Sequence, residues 1–160
     1  MMSRWPIRLS AEELNQLLTS AFPSGGREVD LVREVAPGRV KLVRAFNETM
    51  LRPGGSISGP VLMSLADTAG YVLVMAHVGP ELMAVTSALN MNFLRPAKPG
   101  AIHVEGELLS LGRRSAVCDV RIWTESPDRF AAQATVTYAR ASLDPAKAPD
   151  EAATRQSDRA

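Results

Sequence analysis

The chain has 160 residues, 46% hydrophobic and 22% charged, enough for one domain with a sizeable buried core. A formal net charge of +1 supplies no electrostatic footprint for nucleic acid or an anionic membrane. Its one cysteine, Cys118, excludes an internal disulfide and suits a reducing cytoplasm, and the start Met-Met-Ser-Arg-Trp-Pro lacks a secretory apolar stretch.

The first element is announced by Ser10-Ala-Glu-Glu13, a capping box with Ser as N-cap and Glu three residues on. Leu14, Leu17, Leu18 and Phe22 follow at helical spacing, and Pro23-Ser-Gly-Gly26 ends the run. Residues 1–27 are therefore expected to be an N-terminal helix and linker lying over an edge of the main domain, 28–141. Segments 28–35 and 39–46, joined at Pro37-Gly38, predict an antiparallel hairpin. Val29, Leu31 and Val35 share the apolar face of its first strand, and Val40, Leu42 and Phe46 that of its second. A loop from Asn47 to Ile57, containing Arg52-Pro-Gly-Gly55, leads into the longest apolar run of the chain.

That run, from Ser58 to His77, predicts a helix that is apolar on nearly every face and so wrapped by other structure. Pro60 suits a first-turn position, where its missing N–H has no intrahelical partner to lose. Gly79-Pro80 is the stop, with His77 capping the last turn near the negative end of the dipole. Asp67, near the middle, is the only formally charged residue between Arg52 and Glu81. Ionising a carboxylate in such surroundings costs on the order of several kcal/mol unless something compensates. The misfit makes Asp67 the leading functional candidate.

Strands fill the rest. In 84–94, Val85, Leu89, Met91 and Phe93 share one face while Thr86, Ala88, Asn90 and Asn92 share the other. In 101–111, Ile102, Val104 and Gly106 are out of phase with Leu109 and Leu111, which predicts a bulge or bend near Leu108. Cys118, Val120 and Ile122 alternate in 115–124, and Phe130, Ala132, Ala134, Val136 and Tyr138 line the last strand. Residues 142–160 show no periodicity and are expected to be a disordered tail. One long helix and about six antiparallel strands make an α+β domain whose sheet curls round the helix. With two histidines, and no CxxC, HExxH, Walker or GxGxxG pattern, a metal site or a Ser-His-Asp triad is not expected.

The same residues resemble the hotdog-fold acyl-CoA thioesterases, in the phenylacetate-type (PaaI-like) branch. The family's His-Gly-Gly, six residues, then Asp corresponds to Ser58-Gly59-Pro60 followed by Asp67-Thr68-Ala69. Its aromatic-Leu-x-Pro-Ala-x-x-Gly turn corresponds to Phe93-Leu94-Arg95-Pro96-Ala97-Lys98-Pro99-Gly100, its Gly-Arg turn to Gly112-Arg113, and its closing strand to Ala132-Gln-Ala-Thr-Val-Thr-Tyr138. The similarity covers about residues 28 to 140. It implies hydrolysis of an acyl-CoA thioester without metal or bound cofactor, CoA being part of the substrate. Asp67 would be base or nucleophile, Gly59 would offer its N–H to the thioester oxygen, and Thr86 would support the aspartate and water. Ser58 stands where the family usually has His, Pro60 replaces its second Gly, and Arg52 stands where many members have Asn. These departures keep a second reading open, a non-catalytic acyl-CoA-binding protein on the same fold.

Each assignment has a plainer counterpart. Asp67 could be a structural carboxylate held by Ser64, Tyr71 or Arg52, and Ser58 reads better as a helix cap than as a stand-in for His. Arg52 is a surface arginine or the partner of Asp67 or of a substrate carboxylate. Asn90 is a solvated strand residue or, with Pro60 and Thr68, a substrate contact. Arg95, Lys98, Arg113 and Arg114, at strand ends and turns, are solvated charges or ligands of the CoA phosphates. Geometry adds one constraint. Gly59 and Asp67, eight residues apart on one helix, are separated by about 12 Å and cannot both reach one thioester carbon. Cooperation therefore requires two chains related by a two-fold axis, hence a homodimer, and a thioesterase of this kind is expected to be such a dimer or a dimer of dimers.

Overall fold

The computed structural model describes residues 4–22 and 30–140. The expected tail and the linker ahead of the first strand lie outside these residues. The elements are α1 (Ala11–Ala21), β1 (Leu31–Ala36), β2 (Arg39–Arg44), a 3-10 turn (Glu48–Met50), α2 (Gly59–Val78), β3 (Val85–Phe93), β4 (Ile102–Leu111), β5 (Ser115–Trp123) and β6 (Ala132–Ala139). The six strands form one antiparallel sheet in the order β1-β2-β4-β5-β6-β3, giving the expected α+β architecture.

The core lies between α2 and one face of this sheet, with α2 packed against β2 through β6. Leu65, Ala66, Ala69, Val72, Leu73 and Ala76 of α2 are fully buried, as are Ile102 of β4, Cys118 and Val120 of β5, and Ala134 and Val136 of β6. Each buried Leu or Val contributes roughly 1.5–3 kcal/mol, so the apolar girth of α2 and the sheet face it meets stabilise the domain together. Mean hydropathy over the helix reaches 1.5, sufficient by length and composition to cross a bilayer, yet 67% of that stretch is buried within the fold. Helix and sheet approach closely at Gly106, where a Cβ would stand 2.9 Å from Leu73 Cδ1.

Two strands depart from strict alternation. In β1 the expected inward set included Leu31, but Leu31 is 37% exposed and Val32 is buried. The register shifts between Val32 and Glu34, and this bulge puts Val32 and Val35 on the same face. Asn15 of α1 also holds Val32 at both backbone atoms, accepting its N–H at 2.8 Å and donating to its carbonyl at 2.9 Å. Val29 lies outside the described residues. In β4 the bulge falls between Leu108 and Ser110, where the phase slip placed it, and Leu109 turns outward.

His77 is more than a helix cap. It is buried, its Nδ1 donates to the Leu73 carbonyl one turn back, and its Nε2 accepts the Gly38 N–H, each at 2.8 Å. The ring thereby pins the β1–β2 turn to the C-terminal end of α2. Gly38 has φ +73°, a conformation that costs other residues strain, and the Trp5 ring covers it. His103 stacks on Trp123 with ring centroids 5.8 Å apart.

Candidate active site

Asp67 reaches the end of the sheet from the middle of α2. Thr86 Oγ1 of β3 donates to its Oδ1, and the Tyr138 hydroxyl of β6 lies 2.7 Å from that same oxygen and 2.7 Å from the Asp67 main-chain carbonyl. Burial pushes the Tyr138 phenol far above its ordinary range, with the neighbouring Asp67 charge adding to the rise, so this hydroxyl is a permanent donor. Asp67 Oδ2 receives no donor from the described residues. It is not a buried orphan either, because no described side-chain polar atom is both buried and unpaired.

Thr86 reaches the carboxylate because β3 is bulged. Strict alternation sets Thr86 on the face opposite Leu89, but the register shifts between Thr86 and Ala88. Thr86 therefore pairs with Tyr138 and Leu89 with Val136, residues that both face the helix. Val85 and Phe93, expected to share a face with Leu89, are 58% and 54% exposed, as an end strand of the sheet permits.

Asp67 and Thr86 open onto a cleft of about 910 Å³. Leu18, Phe22, Met50, Val61, Leu82 and Val85 supply its apolar wall, and Pro60 and Thr68 also line it. One side is braced by charge: Arg44 forks onto the buried Asp30, through Nε to Oδ1 and Nη2 to Oδ2 at 2.7 Å, and sends Nη1 to Ser64 Oγ at 2.9 Å. The cleft thus sets Asp67 between an apolar wall and a polar one that includes Asn47 and Thr49. Among the described residues no group of three or more His, Cys, Asp or Glu could hold a metal ion.

Known proteins share this sequence pattern and fold. The sequence model of the Thioesterase superfamily matches residues 54–131, which contain the whole of α2 and Thr86. A protein of Saccharolobus solfataricus, an esterase by name, is 35% identical over 114 residues, 70% of this chain and 73% of the relative. The chain belongs to the Thioesterase superfamily. A crystal structure from Silicibacter, of a thioesterase by name, superimposes on this superfamily member with a TM-score of 0.77 and 32% identity, covering 86% of this chain and 95% of the other. The PaaI protein of the Escherichia coli phenylacetic acid degradation operon matches with a TM-score of 0.61 at 25% identity, covering 69% and 78%. The fold is the hotdog fold, and the activity to be explained is hydrolysis of a thioester.

In this thioesterase-superfamily chain, Asp67, Thr86, Thr68 and Pro60 come together at the cleft. Thr68 donates to the Ser64 carbonyl at 3.0 Å. Ser58 occupies the N-cap position of α2 but makes no side-chain capping bond, contrary to the expected role; its N–H goes to the Met50 carbonyl at 2.9 Å. Gly59 opens the helix beside Phe93, whose ring would stand 3.4 Å from a Cβ there. Arg52 is exposed in a turn closed by its own backbone, and Asn90 is exposed on β3 opposite Thr135. Arg95 donates to the Phe130 carbonyl, and Lys98 meets Glu125 at 3.1 Å. Arg113 and Arg114 are exposed between β4 and β5, Arg113 on a second hollow of about 470 Å³ beside Trp5 and His77.

Thr86 holds the carboxylate as the resemblance implied, and Tyr138 joins it, whereas the three plainer partners weighed from sequence do not. Ser64 serves Arg44, Tyr71 donates to the Leu82 carbonyl at 3.1 Å, and Arg52 is not on the cleft wall. Tyr138, Gly70 and the Asp30–Arg44 pair were not singled out. A signal existed for two of them. A buried tyrosine in an alternating apolar strand needs a partner for its hydroxyl, and a glycine inside a helix costs about 1 kcal/mol relative to alanine.

Proposed function

We propose that this protein hydrolyses an acyl-CoA thioester to the free acid and CoA, in the cytoplasm and without metal or bound cofactor. The observation that carries the reading is Asp67 on the cleft wall, with Oδ1 taken by two hydroxyls and Oδ2 receiving no donor from the described residues. Acting as base, it removes a proton from water as the water oxygen bonds to the thioester carbon; acting as nucleophile, its own oxygen makes that bond. The carbonyl oxygen becomes an oxyanion facing the Gly59 N–H of a second copy, at the positive end of that copy's α2. Collapse expels the CoA thiolate, which takes up a proton, and in the nucleophilic route water then cleaves the mixed anhydride.

A dimer is part of the proposal. Its support is the separation of about 12 Å between Gly59 and Asp67 along one helix, together with the edge of β3, the strand that carries Thr86 and that ends the sheet among the described residues. The apolar wall of the cleft suits the acyl group, and the exposed Arg95, Lys98, Arg113 and Arg114 are candidates for the CoA phosphates. A thiol-release assay over short, medium, long and aryl CoA thioesters tests the reading. The wild type is expected to turn over part of this panel. Asp67→Asn is expected to lose roughly 10²–10⁴-fold in kcat while still binding. A wild type that binds the thioesters yet releases no thiol makes the chain an acyl-CoA-binding protein. Full activity in Asp67→Asn removes the assigned chemistry.

A further inference from the structure

We infer that Tyr138 is a positioning residue for Asp67, seated in a notch that Gly70 leaves on α2; the inference rests on the hydrolytic reading above. Three residues beyond Asp67, a Cβ at Gly70 would stand 2.7 Å from Tyr138 Cε2, 3.1 Å from Cδ2 and 3.2 Å from Val136 Cγ1. Contacts under 3.0 Å do not occur for real Cβ atoms, so the ring lies where it does only because position 70 is bare. The ring has little room to yield, being 3% exposed and backed by Tyr71, with centroids 6.1 Å apart.

From that seat one hydroxyl shares its single proton between two Asp67 acceptors, the main-chain carbonyl and Oδ1, which ties the side chain to its own turn of helix. Thr86 bonds the same Oδ1. Two donors on one oxygen leave the other without a donor from the described residues, so Tyr138 and Thr86 together select which oxygen reacts. The glycine that weakens the helix by about 1 kcal/mol is thereby given a function.

The test is a cycle of Tyr138→Phe and Asp67→Asn, with kcat and KM measured by thiol release and the slow variants followed by single turnover. Tyr138→Phe keeps the ring and its packing. It should lower kcat roughly ten- to hundred-fold, the worth of a hydrogen bond to a charged group, with KM within about twofold. On the Asp67→Asn background the same substitution should cost nothing further, because Tyr138 acts through the carboxylate. Gly70→Ala should reproduce the kcat loss of Tyr138→Phe, thermal melting confirming that it is folded. A tyrosine that only supports the fold would lower both backgrounds by the same factor, and that result overturns the inference. So does an unchanged kcat in Tyr138→Phe while Asp67→Asn is inactive, which leaves the hydrolytic reading intact. Wild-type rates in Asp67→Asn overturn that reading and the positioning role with it.

Discussion

Replacing Asp30 by alanine removes one half of a charge pair whose side chains are 14% (Arg44) and 5% (Asp30) exposed. The guanidinium would keep a single neutral partner, Ser64 Oγ at 2.9 Å, and lose both carboxylate bonds. Breaking a fully buried pair costs about 3–5 kcal/mol, because the surviving charge is left without compensation, whereas an exposed pair is worth about 0–1. This pair lies near the buried limit but borders a cleft of about 910 Å³ through which water reaches the stranded cation. The expected loss is therefore about 2–3 kcal/mol. At roughly 2–4 °C per kcal/mol for a chain of this size, the melting temperature should fall by roughly 4–12 °C at fixed protein concentration. Differential scanning calorimetry, with urea melts as a second measure, provides the assay. The double variant Asp30→Leu with Arg44→Met should recover most of the loss, since it buries apolar groups instead of an orphaned charge. A drop below about 0.5 kcal/mol in the single variant, or a double variant no better than the single, would refute the argument.

Three further outcomes follow from the same geometry. Gly59→Pro deletes the proposed oxyanion donor at a first helical position that proline tolerates. Mixing it with Asp67→Asn, followed by subunit exchange, should restore about a quarter of wild-type activity if each site draws on two chains; no recovery would show that the site is not shared. Thr86→Val should lower kcat roughly tenfold by removing one donor to Oδ1, while Thr86→Ser should restore it, and equal losses in both would exclude the hydroxyl as the reason. The third concerns Cys118, whose thiol burial pushes up to about 12 from 9.0. A folded-state value above the unfolded one means its contribution to stability is intact below pH 9 and lost as pH rises through 12. Urea midpoints should fall between pH 9 and 11, and a thiol reagent should label Cys118 no faster than the protein unfolds; rapid labelling of native protein at pH 8 would contradict this.

Much of the fold was legible because its signals are local. The Ser10 box caps α1 as written, with the Glu13 N–H donating to Ser10 Oγ and the Ser10 N–H to Glu13 Oε2. The apolar run that predicts a wrapped helix becomes Gly59–Val78, ended at Gly79. Asp67 could be singled out from its surroundings alone, because a charge amid apolar residues needs a cause. The faces of β1 and β3 were less legible. Alternation assumes an even ladder, and each bulge adds a residue against a partner strand that is distant in the chain.

Local pattern therefore determined which segments are helix and strand, that one helix must be enclosed, and which acid within it is out of place. Only tertiary structure decided what that acid touches. Thr86 lies 19 residues away and Tyr138 lies 71 residues away, and they meet Asp67 because sheet pairing sets β6 beside β3, a bulge turns Thr86 inward, and Gly70 leaves room for a ring. Asp30 and Arg44 likewise read as ordinary charges until the fold buries them together. The division has a physical origin. Periodicity and capping are properties of neighbours along the chain, whereas a carboxylate's hydrogen-bond partners depend on long-range packing that no short stretch encodes.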